Sequence, residues 1–302
     1  MMLRSVTAVG NDSEFDDLTR ETPLHGAESP VRPAVLRAIS SIRERYFEPI
    51  TLAELSSEVF ISRFHFSRMF ADATGITPGR FLTAVRLFEA KRLLLTTSLN
   101  VSDIVCSVGY SSVGTFTSRF SRAVGMTPTQ YRDPRVAELL VAISPDYRRL
   151  PSLRSLRTVG RSCATLQTGT GVLSLQIGLP RDAGPADILV GLFADPVPQC
   201  GPVAYGGMAN MSSDELTLHG VPPGRWTAIA VAQHKPRNGV LPRFSIGFST
   251  VRVAALGRSV ASIALRPPAP TDPPIAITLA AKQSPLPQRM PAAERPYLRA
   301  VA

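Results

Sequence analysis

Ser62-Arg63-Phe64-His65-Phe66-Ser67-Arg68-Met69-Phe70, running on to Gly75-Ile76-Thr77-Pro78, returns fifty residues later as Ser112-Val113-Gly114-Thr115-Phe116-Thr117-Ser118-Arg119-Phe120, running on to Gly125-Met126-Thr127-Pro128. The pairs Ser62/Ser112, Phe66/Phe116, Phe70/Phe120, Gly75/Gly125 and Pro78/Pro128 keep one offset. A repeat of this length signals a supersecondary unit that cannot bury its own apolar face. With two copies, it predicts a paired module rather than a solenoid.

Each copy reads as two short helices joined by a tight turn. In the first, Thr51 caps a helix carrying Leu52, Leu55 and Ser56, and Ser62 caps a second with Phe66, Met69 and Phe70 on its inner face. In the second, Ser102 or Asp103 starts a helix with Ile104, Val105 and Val108; Gly109 turns the chain, and Ser112 precedes a helix with Phe116 and Phe120. Small residues, Ser56 and Cys106, sit where the helices cross. Gly109 tolerates a left-handed backbone, whereas Val59, its counterpart at the common offset, does not. The first turn is therefore expected to be built differently. Such helix pairs set a second helix into a DNA major groove.

Residues from about Arg32 to Arg135 resemble the DNA-binding domain of AraC/XylS-type transcription regulators. The resemblance is carried by Val108-Gly109-Tyr110, by Phe116 and Phe120, and by Gly125-Met126-Thr127-Pro128-Thr129-Gln130-Tyr131-Arg132. It implies two helix-turn-helix subdomains joined by a long helix. Pro78 to about Thr96 fits that helix, with Pro78 at the first helical position and an apolar stripe of Phe81, Val85, Phe88 and Leu95. Double-stranded DNA is then the expected partner, together with RNA polymerase.

Once Phe66, Met69 and Phe70 face inward, Arg63, Phe64, Ser67 and Arg68 face outward. Arg68 is the first choice for a base contact, because a guanidinium can bind guanine O6 and N7 together. Phe64 can lie against a thymine methyl or pack on a neighbouring helix. The second copy presents Ser112, Val113, Gly114, Thr115 and Ser118, which supply methyl contacts and little hydrogen-bonding information. Arg119, Arg122 and Arg132 are expected at phosphates.

Length and charge agree with this reading. A chain of 302 residues accommodates two ordinary domains, and a net charge of +10 with a pI of about 10.2 suits a polyanion. Residues 1–29 hold two arginines against six acids, whereas 30–135 hold 14 basic against 8 acidic residues. The N-terminus lacks a signal-peptide core, and no run approaches a membrane span. Three cysteines with no Cys-x-x-Cys spacing give neither a disulfide framework nor a zinc knuckle. A cytoplasmic protein without cofactor, metal or membrane partner is expected.

Beyond Pro134 the character changes. Val136, Leu139, Leu140 and Ile143 suggest a last helix, and Arg148, Arg149, Arg154, Arg157 and Arg161 a basic connector. Alternating strands follow at Val172 to Leu179, Asp187 to Phe193, Leu216 to His219, Arg225 to Ala232, Phe244 to Phe248, Val260 to Leu265 and Ile275 to Leu279. Short strands between Pro/Gly turns indicate an antiparallel sandwich, and the Val221-Pro222-Pro223-Gly224 segment resembles transthyretin-like or carboxypeptidase-regulatory-like sandwiches. Cys200, His219 and His234 have no metal-ligand spacing. Cys163, in Arg-Ser-Cys-Ala, lacks the Pro-Cys-His-Arg setting of DNA-repair methyl acceptors, and no other constellation suggests an enzyme.

The expected architecture is an acidic N-terminus (1–30), an all-α DNA-binding domain (31–135), a helical, basic linker (136–162), an all-β antiparallel sandwich for a small-molecule effector or a protein (163–281) and a tail (282–302). The expected function is transcription regulation, as activator or repressor, by two recognition helices in successive major grooves. The competing reading is a protein-interaction module in which the helical part is a scaffold.

Overall fold

A computed structural model of the protein describes residues 31–152, 169–181, 184–211, 214–235 and 243–279. The expected termini, Cys163 and most of the arginine connector lie outside these residues.

The first helix, α1 (Val31–Arg45), buries Val35, Ala38, Ile39 and Ile42, a three- and four-residue stripe. Next comes α2 (Leu52–Glu58), capped by a reciprocal box in which Thr51 accepts from the Glu54 amide and the Glu54 carboxylate accepts from the Thr51 amide. It is followed by α3 (Arg63–Thr74), which ends at the left-handed Gly75, and by α4 (Pro78–Thr96), opened by Pro78 after the cap Thr77. The second copy comprises α5 (Val101–Ser107) and α6 (Val113–Val124), which ends at left-handed Gly125. Asn100, rather than Ser102 or Asp103, caps α5, accepting from the Asp103 amide at 2.8 Å. Two short helices complete the set, α7 (Pro128–Tyr131) and α8 (Pro134–Glu138).

One face of α4 joins α1, α2 and α3 around Phe66, Phe70 and Phe81; further along, Leu87, Ala90 and Leu94 join α5 to α7 around Ile104, Phe116, Phe120 and Tyr131. The two cores match in detail: Phe70 meets Phe81 edge-on at 5.5 Å, and Phe120 meets Tyr131 edge-on at 5.6 Å.

The two turns differ by one residue. Ile61 N–H donates to Ser56 C=O in the first and Tyr110 N–H to Val105 C=O in the second, an offset of 49 rather than fifty. The left-handed position is thus Phe60 (φ 56°) in the first turn and Gly109 (φ 78°) in the second, while Val59 stays at φ −106°. The turns are built differently, as expected, but the residue matching Gly109 is Phe60. By the same register the counterpart of Ser56 is Val105, not Cys106, which is exposed.

The strand-rich region holds ten strands among the described residues. Strands β1 (Leu140–Ile143) and β2 (Arg148–Arg149) follow α8, so the expected last helix stops at Glu138. The others are β3 (Gly171–Gly178), β4 (Ala186–Phe193), β5 (Ala204–Met211), β6 (Glu215–Val221), β7 (Gly224–His234), β8 (Phe244–Val253), β9 (Arg258–Ala264) and β10 (Ile275–Thr278). They form three open sheets with orders β10-β1-β2, β6-β3-β9 and β5-β4-β7-β8. All pairings are antiparallel except β3 with β9, which run parallel and depart from the expectation.

Alternation on the strands decides what each sheet touches. Leu173, Leu175 and Ile177 of β3 pack with Ile188, Val190 and Leu192 of β4 and with Trp226, whose indole N–H also closes the Pro222 turn at 2.8 Å. The opposite side of β4 and β7, through Leu189, Phe193, Ile229 and Val231, packs on Val141, Ile143, Ile275 and Ile277 of the small sheet. That sheet turns Leu140, Ala142 and Ala276 toward Phe88 of α4. Burial on both faces explains why Leu140–Ile143 has no alternation in its sequence.

Candidate DNA-binding surface

The outward face of α3 follows from its inward one. With Phe66, Met69 and Phe70 buried, Arg63, Phe64 and Arg68 are exposed and Ser67 is half-buried. Likewise α6 buries Phe116, Phe120 and Val124 and exposes Ser112, Val113, Gly114, Thr115, Ser118, Arg119 and Arg122. Among the described residues no hydrogen bond or ion pair engages Arg63, Arg68, Arg119 or Arg122. Asp72 is the one acid on α3, and α6 has none. Both outer faces are therefore cationic and open. Arg132 is placed differently: it is half-buried, and its guanidinium donates to the Leu99 carbonyl.

Arg86, absent from the sequence-derived site, ties the subdomains together. From α4 its guanidinium donates to the Tyr46 carbonyl at 2.7 Å and the Glu48 carbonyl at 2.6 Å, and it lies 5.7 Å from the Tyr110 ring centroid. It thus holds the loop after α1 against the turn of the second helix-turn-helix. The only sequence signal is a cation within the apolar pattern of α4.

The β half grips α4 and α1 away from these faces. Arg80 pairs with Asp195 at 2.7 Å, the Arg43 guanidinium donates to the Pro270 and Asp272 carbonyls, and Val197 enters the core around Phe66 and Phe81. Lys91, 1% exposed, donates to the Ala276 carbonyl at 2.6 Å, to the Gln199 carbonyl at 2.8 Å and to Gln199 Oε1 at 3.0 Å. Burial pulls its pKa down to about 7, against a smaller opposing effect of Cys200. Of the three residues in the β half that lack metal-ligand spacing, His219 is exposed, Cys200 is half-buried, and His234 is buried with its Nε2 2.8 Å from Ser245 Oγ. No helix among the described residues is long and apolar enough to cross a membrane.

Two helix-turn-helix units on either side of one long helix, each with an open basic outward helix, form a double helix-turn-helix domain. Residues 55–134 match a protein family described as "Helix-turn-helix domain". The chain is 30% identical over 102 residues to the lactose operon transcription activator of Staphylococcus xylosus, covering 34% of this chain and 37% of that protein. It is 34% identical over 101 residues to the xylose operon regulatory protein of Escherichia coli K12, covering 33% and 26%. The chain thus spans about a third or less of these relatives. Among solved structures, the C-terminal domain of AraT, a response regulator from Geobacillus stearothermophilus, is 31% identical and covers 40% of this chain and 96% of that one, with a TM-score of 0.34.

Proposed function

We propose that the chain is a sequence-specific DNA-binding transcription regulator that inserts α3 and α6 into successive major grooves. The observation that carries this reading is the pair of outward helix faces, each exposed and basic with its inner aromatics buried. The match at residues 55–134 supports it, as do relatives that are themselves operon regulators. Arg63, Phe64, Ser67 and Arg68 read the first half-site, with Arg68 on a guanine. Ser112, Val113, Gly114, Thr115 and Ser118 read the second more sparsely, and Arg119, Arg122 and Arg132 address phosphates. Because one chain carries both heads, its site is asymmetric, with half-sites about 34 Å apart on one face of the duplex.

The β half reads as a sandwich of the β6-β3-β9 and β5-β4-β7-β8 sheets, which meets an effector or another protein. An open groove of about 550 Å³ beside Gln176, Gly178, Asp214, Glu215 and Ser262 is a place for such contact. RNA polymerase is the partner that transcription requires.

Selection of bound duplexes from a random pool by the full-length protein tests the reading. An asymmetric motif with two half-sites one helical turn apart is expected, and Arg68→Ala should cost about 1–3 kcal/mol of discrimination at one base pair. Absence of any enriched motif would favour the protein-interaction scaffold.

A further inference from the structure

Two aromatic rings stand where the fold gains little from them. Phe64, near the start of α3, is 81% exposed, and Phe60, in the turn before it, is 92% exposed. Phe60 also sits at φ 56°, a region unfavourable for a bulky side chain. In the second motif the matching turn residue is Gly109, where a Cβ would come within 2.7 Å of the Phe47 carbonyl oxygen, and the residue matching Phe64 is Gly114. Both rings are thus confined to one motif, and neither is offset by packing. A backbone outlier that adds nothing to the core points to a contact outside the chain.

The setting of the rings selects that contact. Arg63 and Arg68 flank Phe64 and are exposed without ion-pair partners among the described residues. Ser62 leaves the α3 amides uncapped by its side chain, whereas Thr51, Thr77, Asn100, Ser112 and Thr127 all cap their helices. The exposed Ser62 hydroxyl, between the two aromatics in sequence, therefore remains available to a phosphate. An apolar surface within a cationic rim complements the one apolar group that duplex DNA displays in its major groove, the thymine 5-methyl. We propose that Phe64, with Phe60 in the turn that precedes its helix, reads thymine methyls, so that the half-site under α3 joins thymines to the guanine addressed by Arg68. The inference rests on the DNA-binding reading above and makes the two half-sites chemically unlike.

The test uses the full-length protein and its selected duplex, in which each thymine in turn is replaced by deoxyuridine. This exchange keeps base pairing and removes the methyl alone. At one or more thymines of a single half-site, wild-type binding should weaken about fourfold per methyl lost. Phe64→Ala should bind the thymine and uracil duplexes equally at those positions. Phe60→Gly should weaken binding while raising the melting temperature, because glycine relieves the left-handed strain. Wild-type affinity indifferent to every uracil exchange, or a loss that persists in Phe64→Ala, would overturn the proposal and leave DNA reading intact. A Phe60→Gly variant with undiminished affinity would remove Phe60 from the reading surface. A pool that yields no motif would instead remove the DNA-binding reading itself.

Discussion

Lys91 shows how much a single side chain can record about the junction between the two halves. Its ammonium has three N–H donors and meets three oxygen acceptors from Gln199 and Ala276, with no carboxylate partner among the described residues. Hydrogen bonding favours the charged form and burial the neutral one; burial prevails, holding the pKa to about 7. In the unfolded chain the group keeps its proton to about pH 10.4. Between these values the unfolded state binds more protons, so the Lys91 contribution to stability rises with pH through this window and is lost as pH falls toward 7. Urea denaturation at pH 7 and pH 9 should show wild type gaining on Lys91→Met, with a slope of at most about 1.4 kcal/mol per pH unit. A constant difference would mean that the folded protein keeps the ammonium. None of this is legible in the sequence, where Lys91 is one cation on a helix and Ala276 is 185 residues away.

At the level of elements, local chemistry is legible in the sequence and long-range pairing is not. The helix-turn-helix units and α4 were legible because caps, aromatic spacing and left-handed glycines all act within a few residues. The turn register was obscured because the aromatic pairs obey one offset while the first helices obey another. Gly109 illustrates the cost of that turn: Gly109→Ala places a Cβ against the Phe47 carbonyl in a left-handed backbone. It should destabilise the protein by at least about 1–2 kcal/mol, read as a lower urea midpoint with an unchanged slope. The strand β1 resembles a helix in sequence because a short apolar run carries no period of its own. Its identity depends on β10, which pairs Ile143 with Ile275 and Leu140 with Thr278. The strand β5 carries no signal in the sequence, because Ala204–Met211 contains two glycines and no alternation. Outward faces of α3 and α6 were legible from their inner aromatics, whereas Arg86 and Lys91 act on partners that sequence spacing does not reveal.

Among the described residues of the molecule as a whole, the β half lies against α4 and α1 and leaves α3 and α6 open. The α4 helix belongs to both helical cores and is held from the β side by Arg80, Lys91 and Phe88, so the heads and the β half are mechanically continuous. Binding should then follow the charge on the open faces. The logarithm of affinity should fall linearly with the logarithm of salt concentration, by about 0.9 for each phosphate neutralised. Removing Arg119 or Arg122 should lessen that slope by about one and weaken all duplexes alike. An unchanged slope would show that the guanidinium stays in solvent.

The pairing of β1 with β10 also imposes an order on synthesis. Val136 and Thr278, joined by a hydrogen bond at the same junction, are 142 residues apart. At a translation rate of about 5–20 residues per second, the helical half leaves the ribosome on the order of ten seconds before its supporting strand exists. During that interval β1 has no β10 partner and Lys91 lacks its Ala276 acceptor. Native contacts around α4 therefore distinguish a chain translated through β10 from one that stopped short.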